Sequence, residues 1–227
     1  MRKPLLRVVI PSAFILLACN VAGAMPSFAG DFEISGYGGI EFAPSSDVDV
    51  SDGADFTADW DTKPFKMPPY YGVRGTYWFD DGRLANWGVS LDYSHAKVYA
   101  DDATMARAGD WSVFEFTDGL NLLTVNALYK FPIEGTKWVP YLGAGAGINV
   151  PHVEVTRASG RTFDYEFGGL ALQAQAGVSY EISKHWATFV EYKGNYSFVD
   201  NVSIDSGDTL KTRVFTNAVN FGVSFKF

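Results

Sequence analysis

The chain has 227 residues, the size of a single domain, and carries 18 Lys and Arg against 26 Asp and Glu, a net charge of −8. This acidic balance argues against a nucleic-acid-binding protein, so we expect no nucleic acid among its partners. The single cysteine, Cys19, excludes an intrachain disulfide.

The first predicted element is an export signal. Its basic front consists of Arg2, Lys3 and Arg7. An apolar stretch over residues 8–18 follows, too short for a stable membrane anchor, and Ser27-Phe28-Ala29 has the small-x-small form of a cleavage site. Ala22-Gly23-Ala24 is an alternative cleavage site. We therefore expect a cleaved signal peptide over 1–29 and one exported domain over 30–227.

Cys19 leaves a second form of processing open. Leu16-Leu17-Ala18-Cys19 resembles a lipoprotein box, in which the cysteine becomes a lipidated N-terminus. Leu17 stands where such boxes usually have a small residue, which favours a cysteine in a discarded signal peptide. Cleavage after residue 29 removes three basic and no acidic residues, and the net charge falls from −8 to −11.

Eight stretches of about ten residues alternate apolar and polar side chains, as membrane-crossing β-strands do. They cover residues 32–42, 70–79, 87–94, 121–131, 139–150, 170–181, 186–198 and 215–227. Beyond the signal, no apolar run of about eighteen residues occurs, so a membrane-spanning form must be a closed barrel. The pattern predicts an all-β fold, an eight-stranded antiparallel transmembrane β-barrel.

The connections between these stretches alternate in length. The long ones cover roughly 43–69, 100–120, 151–168 and 199–212, and the short ones 80–86, 132–138 and 183–185. Long extracellular loops, short periplasmic turns and an even strand number are typical of bacterial outer-membrane barrels. We expect polar connectors in the long segments, and a monomer, because a closed sheet has no free edge.

The two faces of the strands differ in chemistry. One face is rich in Tyr, Trp and Phe near the strand ends, like an aromatic girdle. The opposite face carries charged rather than aliphatic side chains, which argues against a soluble β-sandwich. The charged residues are Arg74, Asp92, Lys130, Glu181, Glu191 and Lys193. Eight strands enclose a lumen that side chains just fill, so an open pore is not expected.

The C-terminus predicts a partner. The segment 221–227 has an aromatic or apolar residue at every second position and ends in Phe227. It resembles the signature that the barrel-assembly machinery reads in outer-membrane proteins. We therefore expect insertion into the outer membrane through this strand.

Candidate chemistry lies at the outer rim. Of the three histidines, His185 falls in a short periplasmic turn, whereas His95 and His152 fall at the extracellular ends of strands. Histidines beside carboxylates can act as general bases or metal ligands. The candidate carboxylates near them are Asp118, Glu154, Asp164 and Glu166. The candidate catalytic residues are therefore His95, Asp118, His152 and Glu154, with incidental loop histidines as the alternative.

No cofactor motif is found, although a divalent cation is possible. Six aspartates lie within fifteen residues of the first long loop, and they are Asp47, Asp49, Asp52, Asp55, Asp59 and Asp61. Alternate carboxylates can bind Ca²⁺ or Mg²⁺, but their spacing is not that of an EF-hand, which favours a solvated loop. The glycines of 143–147 are mid-strand with no helix after them, so small lumen-facing residues explain them better than a nucleotide loop.

Three segments carry a resemblance to a family. Residues 118–129 (beginning Asp-Gly-Leu-Asn), 139–147 (Pro-Tyr-Leu-Gly-Ala-Gly) and 151–154 (Pro-His-Val-Glu) resemble the outer-membrane lipid A oxidases, within the small outer-membrane β-barrel superfamily. The resemblance implies oxidation of the proximal glucosamine of lipid A to an aminogluconate with O₂, and lipid A as partner. It supplies no catalytic set, so the site residues rest on topology alone.

Two other functions remain open. A non-catalytic structural or adhesive barrel would have the same strands and different loops, because a fold alone does not determine activity. A small porin is the third possibility, which the narrow lumen of eight strands disfavours.

Overall fold

The computed structural model describes residues 30–204 and 207–227. The predicted signal peptide and Cys19 lie outside the described residues. The described chain forms fifteen strands, labelled β1 to β15 in chain order, one α-helix, α1, and one short 3-10 helix over Gly82–Leu84. No helix of the described part is both long and apolar enough to span a bilayer.

Eight strands close into an antiparallel barrel, which confirms the predicted fold. They are β1 (Gly30–Phe42), β5 (Tyr71–Phe79), β6 (Trp87–His95), β9 (Leu122–Lys130), β10 (Trp138–Asn149), β13 (Gly169–Glu181), β14 (Trp186–Ser203) and β15 (Thr209–Lys226). Each pairs with the next, and β1 also pairs with β15, with Ile34 opposite Phe225. Closure leaves no unpaired edge in the spanning region.

The alternation read from the sequence matches the two faces of the barrel. Outward side chains such as Val89, Leu91 and Val125 are about half exposed, whereas the inward Asp92 and Glu191 are buried. Aromatic pairs flank this apolar band at the periplasmic end, including Trp87 with Tyr129, Trp138 with Tyr180 and Trp186 with Phe225. These pairs form one of the girdles that anchor a barrel at an interface.

A network of ion pairs fills the middle of the lumen. Arg74 Nη1 lies 2.6 Å from Glu191 Oε2, and Lys193 Nζ lies 2.6 Å from Asp92 Oδ2. Tyr37 donates to Asp92 over 2.6 Å, and Tyr141 donates to Glu191 over 2.8 Å. All four charged side chains are nearly inaccessible to solvent. A cavity of about 170 Å³ lies on the periplasmic side of this network.

The long connections are not the polar connectors expected from the sequence. They form seven further strands, β2 (Ser46–Val50), β3 (Phe56–Ala58), β4 (Trp60–Asp61), β7 (Val98–Ala100), β8 (Val113–Phe116), β11 (His152–Arg157) and β12 (Gly160–Tyr165), and α1 (Asp102–Arg107). β2 and β3 extend the barrel sheet beyond β15, and the others form a second sheet in the order β12-β11-β8-β7-β4. We call these seven strands and α1 the extracellular cap.

The cap contributes to a hydrophobic core that continues into the barrel. Val48, Phe114, Phe116, Val153 and Val155 are at most 1% exposed and belong to one cluster. The expectation of polar connectors was wrong because these apolar residues sit in short runs of three to six residues, between turns. Runs of this length carry a weak periodic signal.

A substitution in the lumen network should be strongly destabilising. Lys193→Met leaves Asp92 buried without its closest cation, and loss of one partner of a buried pair costs about 3–5 kcal/mol. Urea unfolding of the refolded protein in micelles measures the effect. The double variant Lys193→Met/Asp92→Leu should recover at least half of the loss, and equal stability of single variant and wild type would contradict this account.

Phe227→Asp should prevent insertion into the outer membrane. Phe227 donates its backbone N–H to the Phe32 carbonyl over 3.0 Å, and its ring lies 5.6 Å from that of Phe32, where the barrel closes. The heat-modifiable band in outer-membrane fractions reports on insertion. Ile133→Asp, an exposed apolar position in a periplasmic turn, is the matched control and should insert normally. Normal insertion of Phe227→Asp would exclude the assembly role.

Candidate functional site at the outer rim

The candidate site is built around a sharp turn between β8 and β9. Gly119 and Asn121 adopt φ values of +90° and +48°, a left-handed conformation that Gly and Asn tolerate best. Leu120 N–H donates to the Ala96 carbonyl over 2.7 Å, just past β6. His152 N–H, at the start of β11, donates to the Gly119 carbonyl over 2.9 Å. The turn therefore brings the ends of three strands together.

His95 packs directly against this turn. Its Nδ1 lies 3.2 Å from Asn121 Oδ1, and a Cβ atom on Gly119 would come within 2.4 Å of the same nitrogen. The Tyr71 ring lies 5.2 Å away on the other side. Nε2 is buried and has no hydrogen-bond partner among the described residues. A buried nitrogen of this kind is usually satisfied by water or by a ligand.

His152 occupies the other side of the turn. Its Nδ1 lies 3.9 Å from Asp118 Oδ2, within ion-pair range but too far for a hydrogen bond. The ring packs edge-on against Phe163 and Tyr165, with centroids 4.4 and 4.7 Å away. The imidazole is 2% exposed, whereas the Asp118 carboxylate is 44% exposed. Asp118 is thus the solvent-facing member of the pair.

Three of the four predicted residues therefore meet, and the fourth does not join them. We call His95, Asp118, Asn121 and His152 the rim cluster. Glu154 Oε1 instead lies 2.6 Å from Arg161 Nη2, and its other oxygen accepts from Thr117 over 3.3 Å. Glu154 is two residues along β11 from His152, and its carboxylate contacts other residues of the cap.

The rim cluster lies on the outward face of the barrel. His95 continues the outward series of Leu91 and Tyr93 on β6, and Tyr93 Oη donates to Asn121 Oδ1 over 2.7 Å. Tyr71 is the outward residue opposite His95 on β5 and is 40% exposed. A site in this position faces the membrane boundary rather than the lumen.

Sequence reasoning missed Asn121, Tyr71 and Tyr165. Asn121 and Tyr71 occupy outward-facing positions in the two-residue alternation, at the ends of their strands. The sequence pattern could therefore have indicated both. Tyr165 reaches the site only because β12 folds back on β11, with Tyr165 opposite His152. Burial, the Asp118 carboxylate and Tyr71 together raise the pKa of Tyr165, so this phenol stays protonated at neutral pH.

The acidic first loop is engaged by basic groups within the cap. Asp52 Oδ2 lies 2.6 Å from Arg157 Nη2, and Asp59 Oδ2 lies 2.8 Å from Arg107 Nη2. Hydrogen bonds from Arg157 to Asp52, and from Ser45 and Arg107 to Asp59, lower the pKa of both carboxyl groups. Across the described ranges, no group of three or more His, Cys, Asp or Glu is assembled to hold a metal ion.

Comparison with known proteins gives a family match over most of the chain. A profile of the family described as outer membrane protein beta-barrel domain matches residues 14–227. Among solved structures, neisserial surface protein A is 18% identical, with 88% of this chain and 97% of that chain covered and a TM-score of 0.47. OprG from Pseudomonas aeruginosa is 17% identical, with 88% and 96% covered and a TM-score of 0.41. Likeness at this level carries no argument about activity.

One curated protein matches over a shorter stretch. The fibrillarin-like rRNA/tRNA 2'-O-methyltransferase of Methanopyrus kandleri is 30% identical over 112 residues. The alignment covers 48% of each chain, so this chain spans about half the length of that protein. A match of this extent does not establish a family.

Gly119→Ala should disrupt the rim cluster without unfolding the barrel. The new methyl group would meet His95 Nδ1 at 2.4 Å, and Ala disfavours the φ of +90° at this position. Hydrogen–deuterium exchange should show loss of protection at Leu120 and His152, whose amides are bonded through this turn. Gly109→Ala, which also has a positive φ but no atom within 4 Å of the added Cβ, is the matched control. Equal exchange in the two variants would argue against a tightly packed site.

Proposed function

Because this chain belongs to the outer membrane protein β-barrel family, its outer rim lies level with the outer leaflet, and we propose that it is an enzyme that oxidises lipid A there. The substrate group is the proximal glucosamine, and the product is the aminogluconate. The rim cluster is the proposed site. The resemblance of segments 118–129 and 151–154 to lipid A oxidases supports the choice of reaction, since both segments contribute to this cluster.

The observation that carries the proposal is the position of the rim cluster. Two buried imidazoles flank a single glycine turn on the outward side of the barrel, with the exposed Asp118 carboxylate between them and the surface. The sugars of lipid A lie at the same height, directly above the acyl chains that the outward face contacts. A cluster facing the lumen would meet solutes instead, and the ion pairs of Arg74 and Lys193 close that route.

The proposed reaction is a two-electron oxidation at C1 of the sugar. A base accepts the proton of the C1 hydroxyl, C1 loses its hydrogen with two electrons, and O₂ accepts them and becomes hydrogen peroxide. The resulting lactone takes up water and opens to the acid. His152 is the proposed base, with the Asp118 carboxylate stabilising the imidazolium that forms. His95 and Asn121 hold the turn on which Asp118 is placed.

The test is mass spectrometry of lipid A from a Gram-negative host that lacks this chain and whose lipid A has a free C1 hydroxyl. Aerobic expression should add one oxygen atom to the proximal sugar, and anaerobic expression should not. His152→Ala should reduce the conversion by at least about a hundredfold, the typical contribution of a general base. His185→Ala, an exposed histidine at the periplasmic end, is the matched control and should convert normally.

The outcome that would contradict this function is equally clear. Unmodified lipid A from cells in which the barrel is folded in the outer membrane would exclude the oxidase. The structural or adhesive alternative would then be preferred, with the exposed side chains of the cap as its binding surface.

A further inference from the structure

Three lysines surround one tyrosine ring beside the rim cluster. The Nζ atoms of Lys63, Lys66 and Lys97 lie 4.6, 4.5 and 5.5 Å from the centroid of the Tyr99 ring. Tyr99 is only 2% exposed, and burial together with the Glu115 carboxylate raises its pKa to about 12. We call the three ammonium groups the lysine cluster. Ammonium groups are attracted to the face of a neutral aromatic ring.

The lysine cluster has few close contacts with carboxylates of the chain itself. Within residues 30–204 and 207–227, Lys63 has a carboxylate oxygen within 4.0 Å, from Asp61 at 3.9 Å, and neither Lys66 nor Lys97 has one. The carboxylates of Glu41, Glu115 and Asp118 interact with these lysines from farther away. An anion that reached Lys66 would therefore lie closer to its ammonium group than any carboxylate of the described residues.

Lys97 shows how strongly the fold maintains this arrangement. Its side chain is fully buried, and Nζ donates to the Lys66 carbonyl over 2.6 Å. Burial, and then the Lys66 ammonium, lower the pKa of Lys97. An anion bound beside the cluster would offset both effects, because it stabilises the charged form.

The segment that carries two of the lysines also exposes large apolar side chains. Phe65 is 84% exposed and Met67 is 78% exposed, and both lie next to Lys66. The bond from Lys97 to the Lys66 carbonyl holds this segment beside the outer ends of β5 and β6. It is therefore continuous with the outward, lipid-facing surface that begins at Tyr71. Apolar groups beside lysines are typical of segments at a membrane interface, where ammonium groups meet phosphates.

We propose that Lys63 and Lys66 bind the phosphate of an outer-leaflet glycolipid whose acyl chains contact Phe65 and Met67, and that the buried Lys97 positions Lys66 through its bond to the Lys66 carbonyl. This proposal rests on the proposed function for the identity of the sugar that the lipid presents to the rim cluster. Oxidation at C1 requires a free hydroxyl on the proximal sugar, so the phosphate that the lysines bind is the one on the distal sugar. The lysine cluster thereby orients the disaccharide.

The test measures binding to the full-length protein in nanodiscs with two lipids. One is a lipid A that carries only the distal phosphate, and the other is the same lipid without phosphate. Lys63→Ala/Lys66→Ala should weaken binding of the phosphorylated lipid by about tenfold or more, since each interfacial lysine contributes about one factor of five. Binding of the dephosphorylated lipid should not change. Lys137→Ala/Lys184→Ala, which removes two exposed periplasmic lysines, is the matched control and should bind both lipids normally.

A second variant and a competitor separate the parts of the proposal. Phe65→Ser/Met67→Ser should weaken binding of both lipids, because it acts on the acyl chains. Inorganic phosphate in millimolar excess should not displace the phosphorylated lipid, and displacement would indicate a site for free phosphate instead. Equal affinity of wild type and Lys63→Ala/Lys66→Ala for the phosphorylated lipid would overturn the proposal.

The outcome is independent of the oxidase assay. If binding depends on the lysines but the oxidase assay leaves lipid A unmodified, the lysine site is supported and the proposed function is excluded. If wild type and Lys63→Ala/Lys66→Ala oxidise limiting phosphorylated substrate equally well, the proposed function is supported and the lysine site is excluded.

Discussion

The constraint on which the rest of this structure depends is that a bilayer offers no hydrogen-bond partners to a backbone. Eight strands satisfy this constraint because β1 pairs with β15 and closes the sheet into a barrel. Closure at eight strands leaves a narrow lumen, which the side chains of Arg74, Asp92, Glu191 and Lys193 occupy in pairs. The charged side chains of the lumen are therefore engaged with one another, and the candidate functional residues lie at the outer end of the barrel and on its outward face.

The extracellular cap is joined to the barrel in two ways. β2 continues the barrel sheet by pairing with β15 above the membrane, so part of the cap is an extension of the wall. The second sheet buries Val153, Val155 and Phe114 in a hydrophobic core that it shares with the barrel, and thereby holds β11 and β12 against the barrel end. This packing places His152 and Tyr165 beside strands that are far from them in the sequence.

Position relative to the membrane links the rim cluster to the lysine cluster. Lys97 follows His95 by two residues, and the Asp118 carboxylate interacts with both Lys97 and Tyr165. The two clusters thus adjoin at the outer end of β6. One amphiphilic molecule could contact both with its polar and apolar parts.

The sequence by itself determined the barrel. Every spanning strand must place apolar side chains toward lipid and polar side chains toward the lumen, and this alternation over about ten residues is a local pattern. It also indicated His95, Asp118 and His152, because the alternation pattern predicts where the strands end and therefore which residues lie near the outer rim. Only the tertiary structure decided that Glu154 pairs with Arg161, that Lys63, Lys66 and Lys97 share one ring, and that the long connections form a sheet. These features depend on contacts between short segments that are distant in the chain, whose individual signals are too weak to predict.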